Sequence, residues 1–226
     1  MKCVDKFIRF IVRYSQRKTS LRAICAKYSY ISFDIFDTLI ERKCKNPEEV
    51  FSLVEQKYNQ SANVEIHGFK KWRLFAEKQA RLNSNVEEVT LDDIYRNLTE
   101  HYGIKISNQL KNLEIQVELE QCVAIFPNVM IYNQCIDDNT KKVFITSDMY
   151  LPKDVIMEIL KCNGVKMPQH LYVSCEEQKT KRSGSLFSFL ISKNNISKNS
   201  MVHIGDNPVS DYFRAKINGI HSYLIL

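Results

Sequence analysis

Ile31-Ser32-Phe33-Asp34-Ile35-Phe36-Asp37-Thr38-Leu39 is the stretch on which the fold turns. A β-rich run beginning at Tyr28 reaches Phe33 and stops at a carboxylate. A short apolar run bounded by polar residues reads as a buried strand. An acid at its end stands where open α/β sheets bind ligands, at the carboxyl edge. Four further runs follow: Lys142-Val143-Phe144-Ile145-Thr146, His170-Leu171-Tyr172-Val173-Ser174, Met201-Val202-His203-Ile204 and His221-Ser222-Tyr223-Leu224-Ile225-Leu226. Helical patterns at 152–162, 183–193 and 208–217 separate these four, and each is long enough for a βαβ crossover. The expectation is an α/β protein with a doubly wound parallel sheet.

Between the first strand and the second lie about a hundred residues without a convincing strand. Asn46-Pro47-Glu48-Glu49 combines a cap, an N1 proline and two first-turn acids. Thr90-Leu91-Asp92-Asp93 has capping-box spacing, with Asp where Glu or Gln is usual, and Ser107 is a further candidate cap. Phe69, Trp72, Phe75, Ala76 and Ala80 share one helical face. The division expected is a core at 29–43 and 135–226, an all-helical cap domain at 44–134 inserted after the first strand, and a separate segment at 1–28.

The chain of 226 residues is 44% hydrophobic and 26% charged, which excludes disorder. No apolar run approaches the ~20 residues of a membrane span. Its charge of +6 is concentrated at one end, because residues 1–28 hold eight Lys/Arg against Asp5 alone, a net +7 that leaves −1 on the other 198 residues. A basic tail on a neutral domain argues against nucleic acid as partner. In that tail Val4, Phe7, Ile8, Ile11 and Tyr14 fall on one helical face, opposite Lys2, Lys6, Arg9, Arg13 and Arg17. A basic amphipathic helix suits an anionic membrane surface, a partner chain, or packing on its own domain. Seven cysteines without any C-x-x-C pair support neither zinc nor a disulfide framework. The N-terminus lacks a secretory cleavage pattern, so a cytoplasmic protein is expected, and on the membrane reading of the tail one peripheral at the cytoplasmic face.

The strand ends carry Asp34-Ile35-Phe36-Asp37-Thr38, Thr146-Ser147-Asp148 and Gly205-Asp206-Asn207-Pro208-Val209-Ser210-Asp211, and Lys181 precedes the helix that leads to the fourth strand. Singly, each is an ordinary cap, turn or solvated residue. In this order they specify a carboxylate nucleophile, further carboxylates for Mg²⁺, and Ser plus Lys to neutralise a phosphoryl group.

These segments resemble the haloacid dehalogenase (HAD) superfamily, whose phosphotransferases carry four motifs in the same order. Ile31 to Leu39 matches the first, Phe144 to Ser147 the second, Lys181 to Phe187 the third without its prolines, and Gly205-Asp206 with Asp211 the fourth. The resemblance implies a Rossmann-like core with a C1-type cap, Asp34, Ser147 and Lys181 as catalytic residues, and Mg²⁺ held by Asp34, the Phe36 carbonyl, Asp206 and Asp211. A closer likeness is to a bacterial group carrying S-F-D-I-F-D-T-L, S-D-M-Y-L and K-R-x-G-x-L-F, associated with glycosyltransferases of surface-polysaccharide synthesis. It implies a sugar or glycerol-type phosphate as substrate. Asp37, Thr38, Asp148, Arg73 and Arg81 are candidate substrate contacts, although for Arg73, Glu77 and Arg81 pairing with one another at the surface is the commoner outcome of such a stripe.

One position departs from the pattern. Phosphatases of the superfamily carry an acid/base Asp two residues after the nucleophile, where this chain has Phe36. Along an extended strand the adjacent Asp37 would point the other way. Losing an acid/base costs about 10²–10⁴-fold, so three readings stay open: a phosphatase that finds its acid elsewhere, a dehalogenase-like hydrolase, and a non-catalytic or partner-dependent protein of a glycosyltransferase assembly. His203, inside an apolar strand, reads as a packed core residue, and Cys175 as structural.

Overall fold

The computed structural model describes residues 19–225 together with Arg9, Val12 and Gln16. The strand runs read from the sequence form one parallel sheet. β1 (Tyr30–Phe33) is its centre, β4 (Lys142–Ser147) and β5 (His170–Val173) lie on one side, and β6 (Met201–Gly205) and β7 (His221–Leu224) on the other. Ile31 stands in register with Val143 and Val202, and Phe33 with Ile145 and Ile204. All of these side chains are buried, each burial worth about 1.5–3 kcal/mol. Helices on both faces make an unbroken apolar run the right sequence for such a strand.

The crossovers are α6 (Lys153–Cys162), α7 (Ser185–Asn194) and, after β6, a π-helical turn at Pro208–Phe213 that runs into α8 (Arg214–Ile217). Here the expected helix at 208–217 differs in kind. Asn207 caps the turn by accepting from Val209 N and Ser210 N, and its carbonyl accepts from both Asp211 N and Tyr212 N. The wider turn carries Asp211 back towards the sheet.

The insertion leaves and rejoins the core through a two-stranded antiparallel neck. β2 (Ile40–Arg42) pairs with β3 (Cys122–Ala124), Ile40 opposite Ala124 and Arg42 opposite Cys122. Segment 44–134 is therefore not helical throughout. Before the neck, α1 (Leu21–Lys27) is capped by Ser20. Within the insertion are α2 (Glu49–Ser61), α3 (Phe69–Asn83) and α4 (Leu91–Gln121). The Thr90/Asp93 capping box forms as expected, an arrangement worth about 1 kcal/mol. Asn46 does not cap, because α2 starts only at Glu49. Nor does Ser107: α4 is broken at Gly103, whose φ of 73° suits glycine, and Ser107 lies buried inside the second half. α5 (Phe126–Asp137) straddles the expected boundary at 134 and packs Tyr132 edge-on against Phe33 of β1, with centroids 5.2 Å apart.

At the heart of the insertion is an ion pair. Arg73 is 0% exposed and donates twice to Glu114 at 2.8 Å, once to Glu77 at 3.0 Å, and lies over the rings of Phe51 and Tyr150. Tyr95 Oη donates to Glu114 at 2.7 Å. Arg81 joins the chain through Glu77 and Glu88. Arg42 of the neck makes a matching two-bond pair with Glu118.

The amphipathic face proposed for the tail (Val4, Phe7, Ile8, Ile11 and Tyr14) lies outside the described residues. Arg9 and Val12 are helical, Val12 is buried, and Tyr223 Oη donates to Thr19 O at 3.1 Å beside the edge strand β7. Among the described residues no helix is long and apolar enough to cross a membrane.

Candidate active site

Asp34 follows β1 directly, its amide donating to Ile204 O at 2.8 Å and so extending the sheet by one residue. Ser147 closes the neighbouring β4 and is buried. Asp206 follows β6 on the other side. Lys181 reaches in from the loop ahead of α7; Nζ lies 2.5 Å from Asp34 Oδ1 and 2.6 Å from Asp211 Oδ1. Parallel pairing thus places residues from four separated motifs at one edge.

Asp211 is held from three sides. Oδ1 accepts from Lys181 and lies 3.2 Å from His203 Nε2, and Oδ2 accepts from Asn207 N at 2.9 Å. Facing a carboxylate, Nε2 carries the ring proton, so Nδ1 accepts from Ser32 Oγ at 2.9 Å, and Ser32 in turn accepts from Thr146 Oγ1 at 2.9 Å. His203 is the packed core residue expected, fully buried, yet it also orients Asp211. Gly205 is required by the same packing: a Cβ there would stand 2.4 Å from Asp211 Cγ.

Three carboxylates around one ammonium leave excess negative charge. Burial, opposed by Lys181, pushes Asp34 up to about 8. Burial and its acidic neighbours Asp211 and Asp37 push Asp206 up to about 6. Burial raises Asp211 as well, but Lys181 and His203 outweigh it and hold this group below the usual carboxylate range. Burial disfavours the Lys181 ammonium, yet Asp211 and Asp34 keep its pKa above that of a free lysine. Oxygens of Asp34, Asp206 and Asp211 lie within 4.8 Å of one another. An all-carboxylate donor set with surplus charge fits a hard divalent cation such as Mg²⁺. Asp34, Asp206 and Asp211 each offer it an oxygen, although Asp34 and Asp211 also share the Lys181 ammonium.

After Asp34 the chain does not continue as a strand. Leu39 N and Ile40 N both donate to Ile35 O, Asp37 N donates to Ile40 O at 2.7 Å, and Asp37 takes a φ of 57°. Strand alternation therefore does not govern Asp37; its exposed carboxylate turns to the mouth of the site, near enough to Asp206 to raise it. Phe36 lies under the Arg42 guanidinium, 4.3 Å from its ring centre, and ties this turn to the neck. Thr38 is buried, its carbonyl accepting from Asn128 Nδ2 at 2.8 Å and its hydroxyl without a partner among the described residues.

The remaining candidates are elsewhere or otherwise engaged. Arg73 is wholly buried, against Phe51 of the insertion and Tyr150 of the core, so the expectation that it contacts a substrate is corrected; its pair with Glu77 is part-buried, while Arg81 pairs with Glu77 at the surface as expected. Arg81 is 41% exposed and bound to Glu77 and Glu88. Asp148 accepts from Lys181 N at 2.7 Å and Arg182 N at 3.0 Å, so it holds the loop that bears Lys181. One contact escaped the sequence altogether: Arg9 donates to Asp206 O at 2.9 Å and stands 3.8 Å from its carboxylate. Nothing in the tail's charge pattern distinguishes Arg9 from its neighbours.

No family model and no curated protein sequence matches the chain. Solved structures do. A HAD-family enzyme from Bacteroides thetaiotaomicron superposes with a TM-score of 0.62 at 13% identity, covering 88% of this chain and 94% of that one. The fold is that of the HAD enzymes. The HAD-hydrolase YfnB from Bacillus subtilis, solved with bound magnesium, gives 0.59 at 15% identity over 88% and 89%. The L-2-haloacid dehalogenase from Xanthobacter autotrophicus gives 0.54 at 12% over 88% and 77%. The Bacteroides enzyme has also been solved with magnesium and inorganic phosphate. A dehalogenase and an enzyme solved with phosphate thus share this architecture, so the fold by itself names no chemistry.

Proposed function

We propose that the protein is a Mg²⁺-dependent phosphatase working through an aspartyl-phosphate on Asp34. The observation that carries this is the Lys181 ammonium set between Asp34 and Asp211 beside a third carboxylate, Asp206. A dehalogenase needs a carboxylate nucleophile but has no use for that surplus of acid. Mg²⁺, held by Asp34, Asp206 and the Phe36 carbonyl, with Asp211 as a further ligand or just behind them, would neutralise the charge that otherwise repels a phosphate ester. Ser147 and Lys181 bind phosphoryl oxygens, and an Asp34 oxygen attacks phosphorus in line as the bond to the leaving oxygen breaks. Water then attacks phosphorus, frees inorganic phosphate and restores Asp34. Asp37, turned to the mouth, supplies the leaving group's proton in place of the missing second acid. Thr38 fixes the turn.

The sequence likeness to glycosyltransferase-associated proteins supports a sugar or glycerol-type phosphate of bacterial surface-polysaccharide synthesis as substrate. The +7 tail supports a position at the cytoplasmic face of an anionic membrane. The second reading, a partner-dependent protein without turnover, is favoured by Phe36 alone. One experiment separates them: phosphate release from a panel of sugar and polyol phosphates, with and without Mg²⁺, by the wild type and Asp34→Asn. Release that needs Mg²⁺ and vanishes in the variant is expected. Release that survives Asp34→Asn refutes the nucleophile, and none from the wild type favours the second reading.

A further inference from the structure

We propose that Glu87, in the insertion, is a positioning residue that latches the cap onto the loop carrying Lys181, so that the ammonium is aligned only when the cap is seated. The inference rests on the phosphatase reading for its kinetic consequence but not for its structural one. Glu87 lies between α3 and α4, nearly a hundred residues from that loop. One of its oxygens, Oε2, accepts from Thr180 N at 2.9 Å, Thr180 Oγ1 at 3.0 Å, Ser183 Oγ at 2.6 Å and Ser185 Oγ at 2.6 Å. These donors surround Lys181 in sequence. Asp148, from the sheet domain, takes the next two amides, Lys181 N and Arg182 N. The backbone at 180–182 is thus clamped by two carboxylates, one on each domain.

The grip continues just after Glu87. Glu88 pairs with Arg81 and accepts from Ser174 Oγ at 3.4 Å, which itself accepts from Met149 N at 2.8 Å; Leu91 N donates to Tyr150 O at 2.9 Å. Residues 87–91 therefore touch the loops after β4 and β5 together. The hydrogen bonds to Glu87 outweigh its slight burial and lower its pKa to about 2, so it is charged at any working pH. An ordinary interdomain contact would leave the Lys181 loop indifferent to its loss. A latch would not, because Thr180 and Ser183 hold the turn through which Lys181 reaches Asp34 and Asp211.

The test reads backbone order and turnover separately, on full-length protein. In Glu87→Ala, amide exchange at Lys181 and Arg182, whose acceptor Asp148 is untouched, should quicken about tenfold. With any substrate found, kcat should fall about tenfold with KM changed less than threefold, since an ångström of misplacement costs up to 10²-fold. Glu87→Gln, which keeps an acceptor, should restore both to within threefold. Glu120→Ala, which removes a surface pair with Lys57 in the same insertion, should alter neither. Unchanged exchange at 181–182 in Glu87→Ala overturns the latch whether or not turnover is ever found. Faster exchange with unchanged kcat overturns the positioning role. A wild type without turnover counts against the phosphatase reading and leaves the exchange result to decide the latch alone.

Discussion

Replacing Arg73 by alanine should be the most damaging single change to the insertion. The guanidinium is wholly buried, and Glu114, also 0% exposed, receives both its donors at 2.8 Å. Truncation leaves that carboxylate with Tyr95 Oη alone, and opens a void beside the rings of Phe51 and Tyr150. Breaking a buried ion pair from one side costs about 3–5 kcal/mol. For a chain of this length that is roughly 10 °C in Tm. The desolvation that makes the pair expensive to break also makes it dispensable as a pair. Arg73→Met with Glu114→Leu should recover most of the loss, because replacing both charges by apolar groups is often neutral or stabilising. Thermal and urea unfolding followed by circular dichroism measure both variants. A loss under about 1 kcal/mol in Arg73→Ala would show that water reaches Glu114 and would refute the buried-pair argument. So would a double variant no more stable than the single one.

Two further outcomes follow from the site. Gly205→Ala should fold by circular dichroism yet lose about 100-fold in phosphate release, because Asp211 must retreat about an ångström from a Cβ at 2.4 Å and takes Lys181 with it; near-native turnover would contradict this. Mg²⁺ affinity, read from metal-induced thermal shifts, should rise with pH from about 6 to about 8, since protons leave Asp206 and Asp34 over that interval. The sign is set by linkage: both acids have folded pKa values above their unfolded ones, so metal-free protein binds more protons folded and loses their contribution as pH rises. A flat profile would count against these two ligands.

The sheet was legible because parallel strands buried on both faces have no choice but to be apolar runs, and because Asp34, Ser147 and Asp206 stand at their ends. Identity was lost where tertiary partners decide. Arg73, Glu77 and Arg81 at i, i+4, i+8 look the same whether solvated or buried; only Glu114, forty residues on, settles it. Asp148 acts on backbone amides, which carry no residue signature, and Glu87 acts on one amide and three hydroxyls nearly a hundred residues away. The direction of Asp37 depends on a turn that begins just after Asp34, where strand alternation stops applying. Gly103 was a readable signal for the break in α4, and a His in a buried strand beside Ser32 and Thr146 was a readable signal for a polar cluster.

The neck has a consequence for how such a chain can change. β2 and β3 hydrogen-bond to each other, so the two ends of the insertion are already adjacent, as in a hairpin. The core therefore senses how far apart those ends are, but not the length of chain between them. Loop-closure cost grows only as the logarithm of that length, so helices can be gained, lost or exchanged beyond Arg42 and Cys122 without disturbing the sheet. New binding surfaces can be grafted at this point while the acids at the strand ends stay put. Such a graft would still have to supply something in place of Glu87.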